Sequence, residues 1–168
     1  AFHFPVMPRL FMALRQHSRM SISDILARTP QIPDGCQWGT FLRNHDELDL
    51  GRLTETQRQA VFAAFGPEKG MQLYDRGIRR RLAPMLGGDQ QRIELAYSLM
   101  FTLPGTPVLR YGDEIGMGDD LSLKERECAR TVMQWSGEAQ GGFTKSETPT
   151  LPVIGSGAYG FDHVNVAS

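Results

Sequence analysis

Phe41-Leu42-Arg43-Asn44-His45-Asp46-Glu47-Leu48 joins an apolar run to four polar residues in succession. The run begins at Gln37, and Trp38, Thr40, Phe41 and Leu42 give it the composition of a strand, predicted over 37–43. Asn44, His45, Asp46 and Glu47 follow with no spacer. A carboxamide, an imidazole and two carboxylates at the end of a strand can grip a polar ligand. They can also be a plain polar loop that caps the next helix. In sheets with helical crossovers, ligand-binding residues collect at the carboxyl ends of the strands.

Working outward, Thr54-Glu55-Thr56-Gln57 is a capping-box pattern and predicts a helix start near Thr54, stopped by Gly66-Pro67. Asp89 is placed to cap a helix carrying Ile93, Leu95, Ala96, Leu99 and Met100, ended by Leu103-Pro104-Gly105. Pro107 to Tyr111 predicts a second strand, again followed by acids, Asp113 and Glu114, which are also ordinary turn residues. Towards the start, residues 1–7 alternate apolar and polar and predict a short strand or the end of one. Leu10, Phe11, Leu14 and Met20 form a helical stripe over 8–20, and a further helix starts near Ser21-Ile22-Ser23-Asp24. Arg76 to Arg81 is read as a solvated helix face or a set of ion pairs. From Gly116 onward no period survives, so the tail is either a functional loop or a segment awaiting a partner. Strand, helices, strand, helices, strand is the alternation of an α/β fold with parallel strands.

Composition narrows the function classes. The net charge of −1 offers no basic excess to neutralise phosphates, so nucleic acid is not an expected partner. The longest apolar stretch, Leu95 to Val108, is broken by Ser98, Thr102, Pro104, Gly105 and Thr106 and is too interrupted to span a membrane. Cys36 and Cys128 form no metal-type cluster, and free thiols in a reducing cytoplasm are expected. Trp38 and Trp135 are read as packing residues rather than sugar platforms, and His3, His17 and His163 as structural or exposed. Phosphate-loop, dinucleotide, zinc-protease and EF-hand patterns are absent. The start lacks a basic, signal-like segment and an initiator Met, so the natural chain is expected to begin further upstream.

Four ordered segments carry a resemblance. Phe41 to Leu48 resembles the fourth conserved region of the α-amylase superfamily, an Asn-His-Asp triplet at the end of the seventh barrel strand. Pro104 to Met117 resembles the eighth strand and its loop, and Ala1-Phe2-His3-Phe4-Pro5 the sixth strand. Arg130-Thr131-Val132-Met133-Gln134-Trp135 with Gly141-Gly142-Phe143 is similar to a loop of the superfamily's trehalose synthases and oligo-α-glucosidases. Gly77-Ile78-Arg79-Arg80-Arg81-Leu82-Ala83-Pro84 resembles the trehalose synthases in particular.

The resemblance implies that residues 1–168 are a C-terminal fragment of a (β/α)8 barrel, roughly strands 6–8 with their helices. It implies a retaining reaction on an α-glucoside such as maltose or trehalose, by intramolecular glucosyl transfer with some hydrolysis. Asp46 would be the family's third carboxylate, holding sugar hydroxyls as the ring distorts. His45 would hydrogen-bond the same glucosyl unit, and Asn44 would hold the turn. Arg130 would sit at the rim against a second sugar or a neighbouring acid. The family nucleophile and acid/base follow the fourth and fifth strands, upstream of Ala1, so the isolated chain is expected to be inactive. No cofactor or metal is assigned, since the family's ion ligands lie mostly upstream. Arg110 stands where the family usually has an aromatic residue and Val132 where it usually has proline. An α-glucosidase or amylase fragment, or a non-catalytic remnant that self-associates as a homo-oligomer, are the alternatives.

Overall fold

The computed structural model describes residues 1–168. Three extended segments lie side by side in parallel. Phe2 bridges Gly39, and β1 (Gly39–Thr40) pairs with β5 (Thr106–Pro107), Gly39 opposite Thr106. The Gly39 N–H donates to Ala1 O at 2.7 Å and the His3 N–H to Gly39 O at 2.8 Å. On the other edge, Thr106 N–H donates to Trp38 O at 2.8 Å and Val108 N–H to Thr40 O at 2.7 Å. The segment before the Asn44 turn is therefore the central one. Parallel neighbours need long crossovers. The first crossover is α1 (Val6–Gln16) and α2 (Met20–Ala27); the second contains α3 (Glu55–Phe65), α4 (Leu82–Met85) and α5 (Gln90–Thr102).

The ladders are shorter than their sequences predict. Residues 1–7 contribute only the bridge at Phe2, because α1 already begins at Val6. Of the strand predicted over 37–43, only Gly39 and Thr40 pair. No backbone hydrogen bond from Phe41, Leu42 or Arg43 reaches either neighbour. The predicted strand from Pro107 starts one residue earlier, at Thr106, and its last ladder bond is that of Val108.

The helices form behind this strip for reasons visible in their residues. In α1, Val6, Met7, Leu10, Phe11 and Ala13 are buried, a broad apolar stripe at helical spacing. His17, in the left-handed conformation at φ 51°, closes that helix by donating its N–H to Ala13 O. The capping box is present: Gln57 N–H donates to Thr54 Oγ1 at 3.4 Å and Thr54 N–H to Gln57 Oε1 at 3.0 Å. α3 then buries Val61, Phe62 and Phe65 against α1, with the Phe11 and Phe65 rings edge to face at 5.4 Å. Asp89 caps α5 through Arg92 N–H at 3.2 Å. The predicted α5 stripe is only partly covered. Ala96 and Met100 are buried, whereas Leu95 is 53% exposed on the wall of an open cleft that it shares with Ala13, Leu14 and Arg15 of α1.

A second, antiparallel sheet was not foreshadowed by the sequence. β2 (Leu48–Asp49) and β3 (Gln72–Leu73) both pair with β4 (Gly77–Ile78), so Ile78 stands between Leu48 and Gln72. The basic run Arg76 to Arg81 therefore lies on β4 and the loop into α4, not on a helix face. Its alternative reading as ion pairs holds, since Arg80 meets Asp119 at 3.1 Å and Arg81 meets Asp113 at 2.9 Å. The tail after Gly116 contains only 3-10 turns, over Glu125–Ala129 and Ala139–Gly142, yet buries Cys128, Ala129, Thr131, Val132 and Gln134. It folds back over the carboxyl ends of the parallel strands.

Candidate functional site

The turn after β1 is built by its own side chains. Asn44 Oδ1 accepts from Asp46 N–H at 2.9 Å, an Asx turn that swings the carboxylate out of line with the strand. Below it, Arg43 is buried and clamps the turn, donating from Nε to Arg80 O at 2.8 Å and from Nη2 to Asp46 O at 2.7 Å. Burial lowers the Arg43 pKa to about 10, with Asp113 and Asp119 opposing that shift, so the guanidinium stays charged at neutral pH. Its Nη1 is buried without a protein partner.

Two further arginines reach Asp46 from the returning loop. Arg130 Nη2 lies 3.0 Å and Arg126 Nη1 3.3 Å from Asp46 Oδ1, and His45 Nε2 is 3.7 Å from the same oxygen. Arg130 also donates from Nε to His45 O at 3.0 Å and pairs with Glu127 at 3.1 Å. Arg126 straddles the buried Glu47 carboxylate, with Nε at 2.7 Å and Nη2 at 3.2 Å. Both arginines engage one oxygen of Asp46, which leaves Oδ2 to accept from a ligand. The Asp46 side chain remains 35% accessible.

A cleft of about 250 Å³ opens beside the turn, walled by Phe2, Phe4, Phe41 and Val108 and floored by Arg43, Asn44, His45 and Asp46. Phe41 packs edge-on to Phe2 at 5.6 Å and to Phe4 at 5.4 Å. An apolar wall with a few convergent polar groups is the usual make-up of a small-molecule site. Arg110 completes the rim and stacks over the Tyr111 ring at 3.9 Å.

Charges that do not face the cleft support it. Asp113 is buried against Arg81; burial pushes its carboxyl pKa up, while Arg81 draws it down. Arg81 also reaches the Tyr111 carbonyl. Asp113 is thus a structural acid, and Glu114 is exposed away from Asp46. Cys128 is raised to about 11 by burial and remains a thiol at neutral pH, unfit as a nucleophile. No group of three or more His, Cys, Asp or Glu side chains stands at metal-binding distance.

Residues 74–167 match the model for the alpha amylase catalytic domain. The chain belongs to the α-amylase family. It is 52% identical over 169 residues to the trehalose synthase/amylase TreS of Mycolicibacterium smegmatis, covering 99% of this chain and 28% of that protein. It is 51% identical to the trehalose synthase of Pimelobacter, over 99% of this chain and 29% of the relative. The trehalose synthase of Thermus thermophilus is 46% identical over 99% of this chain and 17% of its own length. The chain thus spans less than a third of each of these α-amylase-family relatives, as a fragment of mixed helix and strand.

Of the residues singled out in the sequence, Asn44, His45 and Asp46 share the cleft, and Arg130 meets them through Asp46. For Arg130 the partner is the neighbouring acid. Trp38 is half-buried with its ring 4.8 Å from that of His3, whereas Trp135 is 51% exposed and does not fit the packing role expected of it. His3 is buried, with Nε2 2.7 Å from Thr29 Oγ1. Sequence reasoning missed the roles of Arg43 and Arg126, and for Glu47, which it placed among the polar residues after the strand, it missed the partner. Glu47 and Arg126 are separated by 79 residues, so no local spacing links them. No helix is long and apolar enough to cross a membrane.

Proposed function

We propose that residues 1–168 are the C-terminal part of an α-amylase-type barrel, roughly strands 6–8 with their helices, and that they supply the Asn44-His45-Asp46 side of an α-glucoside site. The observation that carries this reading is Asp46 itself. It lines an aromatic-walled cleft, with Oδ1 held by two arginines and Oδ2 without a protein hydrogen-bond donor. The three parallel segments in sequence order, with helical crossovers on one side, support the barrel assignment. Relatives named as trehalose synthases support maltose or trehalose as the substrate.

In that reaction the glucosyl ring flattens and gains positive charge as the glycosidic bond breaks. Asp46 Oδ2 accepts from ring hydroxyls, and those bonds strengthen as the ring charges. Arg126 and Arg130 hold the carboxylate in place, so no reorganisation is needed at the barrier. His45 donates to the same glucosyl unit. The nucleophile and general acid come from strands outside this chain. Retaining transfer to the second sugar gives trehalose, and transfer to water gives hydrolysis. An α-glucosidase or amylase parent differs only in how well the closed site keeps water out.

Two readouts on the purified chain test this. Maltose should bind weakly and bind at least about tenfold more weakly to Asp46→Asn, while neither protein forms trehalose or glucose. Turnover by the chain alone would show that it holds its own nucleophile. Unaltered maltose binding in Asp46→Asn would remove Asp46 from the site.

A second reading, a self-associating remnant without catalysis, draws on Phe2, Phe4, Val108 and Leu109. These are exposed on the strip, and its outer strands have open edges. Sizing chromatography at several concentrations separates the two: a clean monomer would end the remnant reading.

A further inference from the structure

An open cleft of about 500 Å³ lies where α1, α2, α3 and α5 meet, and it shares no residue with the cleft at the Asp46 turn. We propose that it binds the free anion of a medium-chain fatty acid, with the alkyl chain on the helices and the carboxylate among Arg15, Arg19 and Arg92. The inference is independent of the α-glucoside reading.

The apolar surface is the first argument. Buried Ile22, Phe65 and Leu86 line the cleft together with Leu14, Leu95 and Leu99. A mostly apolar concavity with a few polar groups has the make-up of a small-molecule site, and its volume falls in the usual range of about 300–1,000 Å³. α1 and α5 belong to the crossovers before and after β1 and touch directly. The remainder of a barrel therefore adds helices beside this pair, not between its members.

Charge is the second argument. Arg15, Arg19 and Arg92 line the cleft with His17, and no aspartate or glutamate does. Arg80, Arg81, Arg126 and Arg130 are each paired with a carboxylate, whereas these three arginines are not. Two of them also stand against their own helices. Arg19 is the N-cap of α2 and makes no side-chain capping bond, and Arg92 lies in the first turn of α5. At both places acids stabilise a helix and cations weaken it. The unpaired cations call for an anion, and the apolar lining calls for one with a hydrocarbon body.

Size selects among such anions. The lining runs along α5 from Arg92 to Leu99, a rise of about 10 Å. An acidic helix of that length and about 10 Å in diameter would occupy about 800 Å³, more than the cleft holds. An extended alkyl chain is thinner and fits.

The test is calorimetry of sodium dodecanoate with the 168-residue chain, below the concentration at which the soap forms micelles. Dodecanoate should bind at one site, and each CH2 removed, down to octanoate, should weaken binding by up to about fourfold. Dodecyltrimethylammonium, with the same tail and the opposite charge, should bind at least about tenfold more weakly. Arg19→Glu with Arg92→Glu should weaken dodecanoate binding at least about tenfold without lowering Tm, since it places acids at two helix starts. Equal binding of the two amphiphiles, or of dodecanoate by the double variant, would overturn the inference, because the cations would then play no part. Absence of dodecanoate binding, with a dimer on sizing that Leu95→Asp dissociates, would give the cleft to a second copy of the chain and overturn it too. Maltose binding at Asp46 is a separate readout, so either outcome leaves the α-glucoside reading standing.

Discussion

Behind the parallel strands, Leu10, Phe11, Val61, Phe65, Leu82 and Leu86 are buried on one another. In front of their carboxyl ends, residues 111–135 run with no helix longer than a 3-10 turn and are held by arginines. Arg79 donates to the carbonyls of Gly70, Leu121, Leu123 and Glu125. Arg80 and Arg81 take Asp119 and Asp113, Arg110 takes Ala129 O, and Arg126 and Arg130 take Glu47 and Asp46. The first region is held by apolar area, which is non-directional and tolerates repacking. The second is held by directed bonds from planar forks, which fix geometry and tolerate little. A site that must hold one carboxylate still is better served by the second kind.

Several substitutions can break or sharpen that contrast. Arg81→Met strands the buried Asp113 carboxylate and should destabilise the chain by about 4 kcal/mol in urea denaturation. Arg81→Met with Asp113→Leu should recover most of the loss, because no buried charge is then unpaired. A double variant as unstable as the single one would mean that the geometry of the fork, not charge burial, dominates there. In the core, Leu10→Ala should cost about 3 kcal/mol and leave hydrogen exchange in 119–130 unchanged once the global loss is subtracted. Arg79→Lys keeps the charge but loses the fork. It should cost about 1 kcal/mol while speeding exchange across 121–125, the reverse of the core pattern.

The helix caps give the smaller effects. Thr54→Ala should cost about 1 kcal/mol through the lost capping box. Glu55 is held below its ordinary carboxylate pKa, chiefly by the hydrogen bond from Arg58 and then by that from Gln59. Its contribution is therefore present above the unfolded value and disappears as pH falls through the lower folded value. Glu55→Gln should lower Tm slightly near about pH 6 and match the parent chain once both Glu55 forms are protonated. Equal Tm loss at all pH values would mean that the ionised form is not what matters.

The same contrast explains what could be read from the sequence. The helical layer was legible where caps and stripes are local: Thr54 with Gln57, Asp89 with Arg92, and Leu10, Phe11 and Leu14 of α1, whose first residues, Val6 and Met7, read instead as the end of a strand. The role of Asn44 in the turn was legible only through resemblance, and its bond from Asp46 N–H supplies the physical reason. Arg130 was legible only through resemblance. The antiparallel sheet was not, since strands of two residues such as Gln72–Leu73 carry no period. Nor were the partners of the stapling arginines, which lie far off in sequence, 32 residues for Arg81 and Asp113 and 79 for Arg126 and Glu47. Periodicity encodes area; it does not encode which carbonyl a guanidinium will find.

The central claim is that this chain carries the Asp46 side of an α-glucoside site whose other carboxylates lie on other strands of the barrel. The most direct measurement mixes the purified chain with a polypeptide covering the remainder of an α-amylase-family trehalose synthase catalytic domain and follows maltose conversion. The account predicts no conversion by either component alone, conversion by the mixture, and its loss when the chain carries Asp46→Asn. Conversion by the chain alone, or by the mixture regardless of Asp46, would contradict it.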